Sequence, residues 1–288
     1  MAACQKDLFL QVMRLDRDPR LSRLKVTAAL RDVVYAALAR SEHATRYVDN
    51  PSVVNLRWTP DLARGFLEAK VRRLDPSFLF HGSEEPTLSD WLGRETITTE
   101  DGASKVSLAT YLVEHTRALP RDIVQVGNRL CREAHLASAA GAGLSDARLR
   151  EIVHDASRLF GLEQLSITAT QIISNVTPEA LVDSFEDIYG AKSAYAEATV
   201  ESLAALLAPY RSQSSLAPDD LKELDRIYQE ELGFGEITGM LWENDLLGAE
   251  GPERGIKFRY EAPGEELRMP FTASRYRLHP ILRAALAP

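Results

Sequence analysis

Proline stands where a helix would begin at five places: Pro60, Pro120, Pro178, Pro218 and Pro280. A proline at the first helical position lacks only an N–H that would have had no partner, whereas inside a helix it breaks the ladder. Three of the five follow a capping residue or precede an acid, as in Thr59-Pro60-Asp61 and Thr177-Pro178-Glu179. A chain punctuated in this way predicts a succession of separate helices, each with a marked start.

Apolar residues recur at helical spacing behind these starts. The helix opened by Pro60 carries Leu62, Phe66, Leu67 and Val71 on one face. Pro120 to Ala139 carries Ile123, Val126, Leu130 and Ala134. Shorter helices are predicted over Leu88–Leu92 and Ser107–Thr116, and Ser145 caps a helix running through Leu159. Ala194–Leu207 continues the helical pattern, and 211–215 reads as a linker.

The two ends of the chain differ from this middle. After a helix over Leu8–Leu15, the runs Leu24–Leu30 and Ser52–Trp58 read as strands, with a helix between them from Asp32 to Arg40. That alternation predicts part of a parallel α/β layer. Two strands make too small a sheet to stand alone, so the segment over 24–58 should leave an unpaired edge for a partner or a second copy. At the other end, helices over Pro218–Leu232 and Ile237–Leu246 precede a strand over Gly255–Tyr260. A return strand over Leu267–Phe271, a third edge at Arg275–Leu278 and a last helix from His279-Pro280 follow. Helix, helix, hairpin, helix is the order of a winged-helix module.

Composition narrows the function. The net charge is -8, so the surface as a whole does not attract nucleic acid or an anionic membrane. Residues 216–288 carry nine Lys and Arg against fourteen Asp and Glu. Glu236, Glu243 and Asp245 lie on or beside the helix that would enter a DNA groove. The basic edge formed by Lys257, Arg259, Arg275 and Arg277 is the one feature for DNA, and packing against protein is the better use of the module. Two cysteines, Cys4 and Cys131, make no disulfide framework, and the start has no secretory pattern. No apolar run approaches the ~20 residues that span a bilayer. These features predict a cytoplasmic protein without a membrane partner.

The chemistry-bearing motifs are sparse. There is no G-x-x-x-x-G-K-[ST], no nucleophile elbow and no histidine pair at metal-ligand spacing. No autonomous catalytic site and no metal site is predicted. Two arginines stand out. Arg121 falls in the first turn of the helix opened by Pro120, where a cation costs about 0.3–1 kcal/mol. A phosphate at that helix start would explain it, and so would pairing with Asp122 or another carboxylate. Arg31 follows the strand Leu24–Leu30, at the end where α/β folds bind ligands. It can equally be a surface neighbour of the helix cap Asp32.

Several short segments occur in a characteristic order: Leu24 to Arg31, Ser41-Glu42-His43-Ala44-Thr45-Arg46-Tyr47, Leu56-Arg57-Trp58, His115-Thr116-Arg117-Ala118-Leu119-Pro120-Arg121-Asp122, and Tyr276-Arg277-Leu278-His279-Pro280. This order resembles the C-terminal two-thirds of bacterial P-loop ATPases of the AAA/STAND type, the FunZ-like group. The resemblance implies a late part of a P-loop-type sheet over 1–75, a helical lid or bundle over 76–212 and a winged-helix domain over 213–288. It implies that Arg121, and more weakly Arg31, senses nucleotide phosphate. The Walker A and Walker B segments would lie before residue 1, so ATP and magnesium would be held only with a partner that supplies them. The expectation is a mainly α protein: a non-catalytic or partner-completed ATPase module acting through protein contacts, with a winged-helix DNA-binding regulator as the alternative.

Overall fold

The computed structural model describes residues 8, 10–15, 18–21, 23, 25, 58–99, 104–139, 143–176, 197, 199–232, 236–250, 255–259 and 273–287. The chain divides into two units, Met1–Arg57 and Trp58–Pro288. In the first, residues 10–15 are helical with Met13 buried, and Pro19–Leu21 form a short 3-10 turn beside an Asp18–Arg20 ion pair. Arg31 and the expected strands lie outside the described residues, apart from Lys25 and Trp58.

The second unit is mainly helical with small antiparallel sheets. Helix α1 spans Pro60–Val71, and the Thr59 hydroxyl accepts from the Leu62 N–H at its start. Ala63, Leu67 and Val71 form its buried stripe. Of the expected face, Leu67 and Val71 are buried and Phe66 packs against the core, but Leu62 is 55% exposed and Ala63 takes the buried place in the first turn. Helix α2, Leu88–Leu92, is opened by a reciprocal capping box of Thr87 and Asp90 and closed by Gly93 in the left-handed region.

A hairpin not expected from the sequence follows. Strands β1, Thr96–Thr98, and β2, Lys105–Ser107, pair antiparallel, with Ile97 opposite Val106. At three residues each they are too short for an alternating pattern to stand out. Ser107 then caps helix α3, Leu108–Glu114.

Helices α4, Pro120–Ala139, and α5, Asp146–Val176, form the centre. The expectation ended α5 at Leu159, but its 31 residues run on for about 46 Å. Arg150 on α5 donates to the Thr98 carbonyl at 2.9 Å, tying the hairpin to it.

Behind a helical stretch over 199–207 come α6, Pro218–Leu232, and α7, Ile237–Glu243. Strands β3, Leu247–Glu250, β4, Ile256–Phe258, and β5, Tyr276–Leu278, form an antiparallel sheet of order β4-β3-β5. Leu216 bridges to Tyr276 on the open side of β5. The hairpin partner of β4 is thus β3, which follows directly on the helix expected over Ile237–Leu246 and to which the sequence assigns no element. The chain leaves the helix because Asn244 caps it and Asp245 takes a left-handed conformation at φ 60°. Asn and Asp tolerate that region better than other side chains. The expected return strand at 267–271 lies outside the described residues.

The last helix, α8, Pro280–Ala285, packs on α5 at Gly161. A Cβ at Gly161 would meet the Ile281 carbonyl and lie 2.7 Å from the Ala285 methyl, so the crossing requires glycine. No described helix is long and apolar enough to cross a membrane.

Candidate functional site

The segment between α3 and α4 turns its polar groups inward. Helix α3 ends at His115, whose Nδ1 lies 2.8 Å from the Tyr111 carbonyl oxygen. The Thr116 hydroxyl donates to the Val113 carbonyl at 2.8 Å. Ala118 adopts φ 52°, which swings the chain round so that Pro120 can open α4. That turn places Arg117 beneath the helix start and Asp122 at its third position.

Asp122 is fully buried. It accepts two parallel bonds from the Arg117 guanidinium, from Nε at 2.9 Å and from Nη2 at 3.0 Å. The Arg117 backbone N–H adds a longer contact at 3.4 Å. A carboxylate in the first turn also suits the helix dipole. The fork geometry matches the two oxygens, and a fully desolvated pair of this kind costs about 3–5 kcal/mol to break by removing one member.

The chain of bonds continues. Arg117 Nη1 donates to the Gln164 side-chain oxygen on α5. Gln164 Nε2 donates to Asn244 Oδ1 at 3.1 Å, and Asn244 Nδ2 donates to the Met240 carbonyl at 2.9 Å. Each amide orientation follows from the previous bond, since a guanidinium can only donate.

Arg121 borders this network at Asp122, with its side chain 56% exposed. Its Nη2 donates to both Glu163 oxygens, at 2.9 and 2.8 Å, and its Nε stands 3.7 Å from Asp122 Oδ1. The hydrogen bond to Glu163 is the main reason its guanidinium is held charged even more firmly than usual. Carboxylate pairing, one of the two readings open for Arg121, is therefore present. An exposed pair of this kind contributes only about 0.2–1 kcal/mol, so another anion can replace Glu163 at small cost.

The four cations at the C-terminal end are spread around the sheet. Arg259 pairs with Asp245 at 3.3 Å, just after α7. Arg275 lies 3.9 Å from Glu250. The Arg277 guanidinium is 6.0 Å from the Phe258 ring centroid, and Lys257 stands opposite Ala249 on β4. Helix α7 buries Ile237, Thr238, Leu241 and Trp242. Thr238 is bound to Asp225 of α6 through its N–H at 3.0 Å and its hydroxyl at 2.6 Å.

Next to this lies His279, fully buried at the start of α8. Its Nδ1 accepts from the Ile281 N–H at 3.2 Å, and its ring meets Phe258 edge-on at 4.5 Å. Burial holds its imidazole well below the usual histidine range, aided by the nearby His115, Arg277 and Arg117.

Sequence reasoning singled out Arg121 and passed over its neighbour Arg117, the more deeply engaged of the two. The available signal was Asp122, an acid in a first turn that also has an arginine five residues upstream. Gln164 and Asn244 offered no signal, since their partners lie 47 and 80 residues away. Comparison with protein-family models, with curated proteins and with solved structures gave no match.

Proposed function

We propose that this chain is the C-terminal module of an AAA/STAND-type P-loop ATPase, a helical lid followed by a winged helix, working through protein–protein contacts. The order of elements supports the second part. A helical stretch, the Leu216 bridge, α6, α7, β3 and β5 follow the winged-helix sequence of helices and strands, with β4 carried in the wing. The lid reading rests on the Pro-Arg-Asp helix start and its resemblance to a phosphate-sensing lid. In it, Arg121 exchanges Glu163 for a nucleotide phosphate when a partner supplies the P-loop, ATP and magnesium. Arg31 would be a second polar contact.

The observation that carries the choice of protein over DNA is the state of α7. A recognition helix must present an exposed, basic face to a groove. This one has seven residues, four of them buried, and acids at Glu236 and Glu243. Arg259 and Arg275, which flank β4 and β5, are turned to carboxylates of the same module.

Calorimetry with ATP and magnesium, on the chain alone and with proteins encoded beside it, tests the reading. Binding should appear only with a partner and be lost in Arg121→Ala. Binding unchanged by that substitution, or absent with every partner, removes the phosphate role. A gel shift with duplex DNA tests the alternative. Tight binding that weakens steeply with salt and disappears in Lys257→Glu with Arg259→Glu would replace the protein-contact reading by a DNA-binding regulator.

A further inference from the structure

The exposed ion pair of Arg121 and the end of α7 are joined by one unbroken series of polar contacts. Asp122 Oδ1 is where they meet. It accepts from Arg117 Nη2 at 3.0 Å and lies 3.7 Å from Arg121 Nε. Two guanidinium groups thus approach one carboxylate oxygen, Arg117 by a hydrogen bond and Arg121 at ion-pair distance. Arg117 then leads through Gln164 to Asn244, whose amide holds the Met240 carbonyl in the last turn of α7. Glu163 and Gln164 are adjacent on α5 and so point in different directions, one to solvent with Arg121 and one into the network.

We propose that this series is a conformational relay: the anion that holds Arg121 sets how firmly Asp122 holds Arg117, and so how firmly α7 is fixed to α5. An anion that draws Arg121 outward leaves Asp122 wholly to Arg117 and tightens α7. Loss of that anion lets Arg121 close on Asp122 Oδ1, weakens the fork and loosens α7. The physiological anion in this scheme rests on the phosphate reading above, but the coupling itself does not. In this structure Glu163 plays the anion's part.

The direction of the amide bonds supplies a clean way to cut the relay. Gln164→Glu keeps an acceptor for Arg117 and removes the only donor that reaches Asn244 Oδ1 from that side chain. Hydrogen–deuterium exchange of the full chain, read over residues 237–246, reports on α7. Glu163→Ala should raise exchange there by about threefold or more, a size ordinary for contacting residues in one network. Arg121→Ala should leave it unchanged or slower, because the competitor for Asp122 is gone. In the Gln164→Glu background the effect of Glu163→Ala should vanish.

An equal effect of Glu163→Ala in both backgrounds overturns the relay, and so does no effect in either. Should Gln164→Glu not fold, Asn244→Leu cuts the same link from the other side and the same comparison applies. These variants need no nucleotide. A failed relay therefore leaves the phosphate reading to the calorimetry, and a working relay survives if Arg121 proves to bind no phosphate.

Discussion

Arg117 and Arg121 are four residues apart and differ in nearly every physical respect. The first is buried against a buried carboxylate, and the second is exposed against an exposed one. Removing Asp122 as Asp122→Ala strands the Arg117 charge in the interior. It should cost about 3–5 kcal/mol in urea unfolding. Arg121→Ala should cost no more than about 1 kcal/mol in the same assay. The contrast separates a buried ion pair on which stability depends from an exposed one that contributes little. In the sequence the two arginines look alike, because their difference is burial, and burial depends on the turn at Ala118 and on α5.

At the scale of elements, the crossing of α5 and α8 depends on one missing side chain. Gly161→Ala would place a methyl against the Ile281 carbonyl, and backbone cannot move aside as a flexible side chain can. The variant should lose about 1–3 kcal/mol, seen as a lower urea midpoint with an unchanged slope. At α2 the loss of the capping hydroxyl in Thr87→Ala should cost about 1 kcal/mol. Starts of helices were the most legible elements. Thr59-Pro60, Ser107, Pro120, Pro218 and Pro280 all stand where they were expected. Ends were less so, as the run of α5 to Val176 and the early stop of α7 at Glu243 show. A start is signalled by local backbone chemistry, whereas an end depends on what the helix packs against.

For the molecule as a whole, pH dependence follows from His279. The folded protein keeps this ring neutral, while the unfolded chain takes up a proton near the ordinary value of 6.5. The unfolded state therefore binds more protons below that pH. Stability should be full above about 6.5 and fall as the pH drops, by up to about 1.4 kcal/mol per unit. His279→Asn keeps an acceptor for the Ile281 N–H and should flatten the profile between pH 6.5 and 5. Asp90 acts in a lower window. Its bonds from Thr87 hold its carboxyl below the usual range, so that contribution is lost only as the pH falls below about 4.

The amino-acid sequence by itself determined the helical character of the chain and where most helices begin, because prolines, caps and apolar spacing act within a few residues. It also marked the 115–122 segment as unusual. The tertiary structure alone decided which arginine is buried, that Glu163 holds the other, and that Gln164 and Asn244 carry the contact on to α7. It likewise decided that β3 pairs with both β4 and β5. Those outcomes turn on desolvation and on partners far away in the chain, and neither leaves a mark in local sequence.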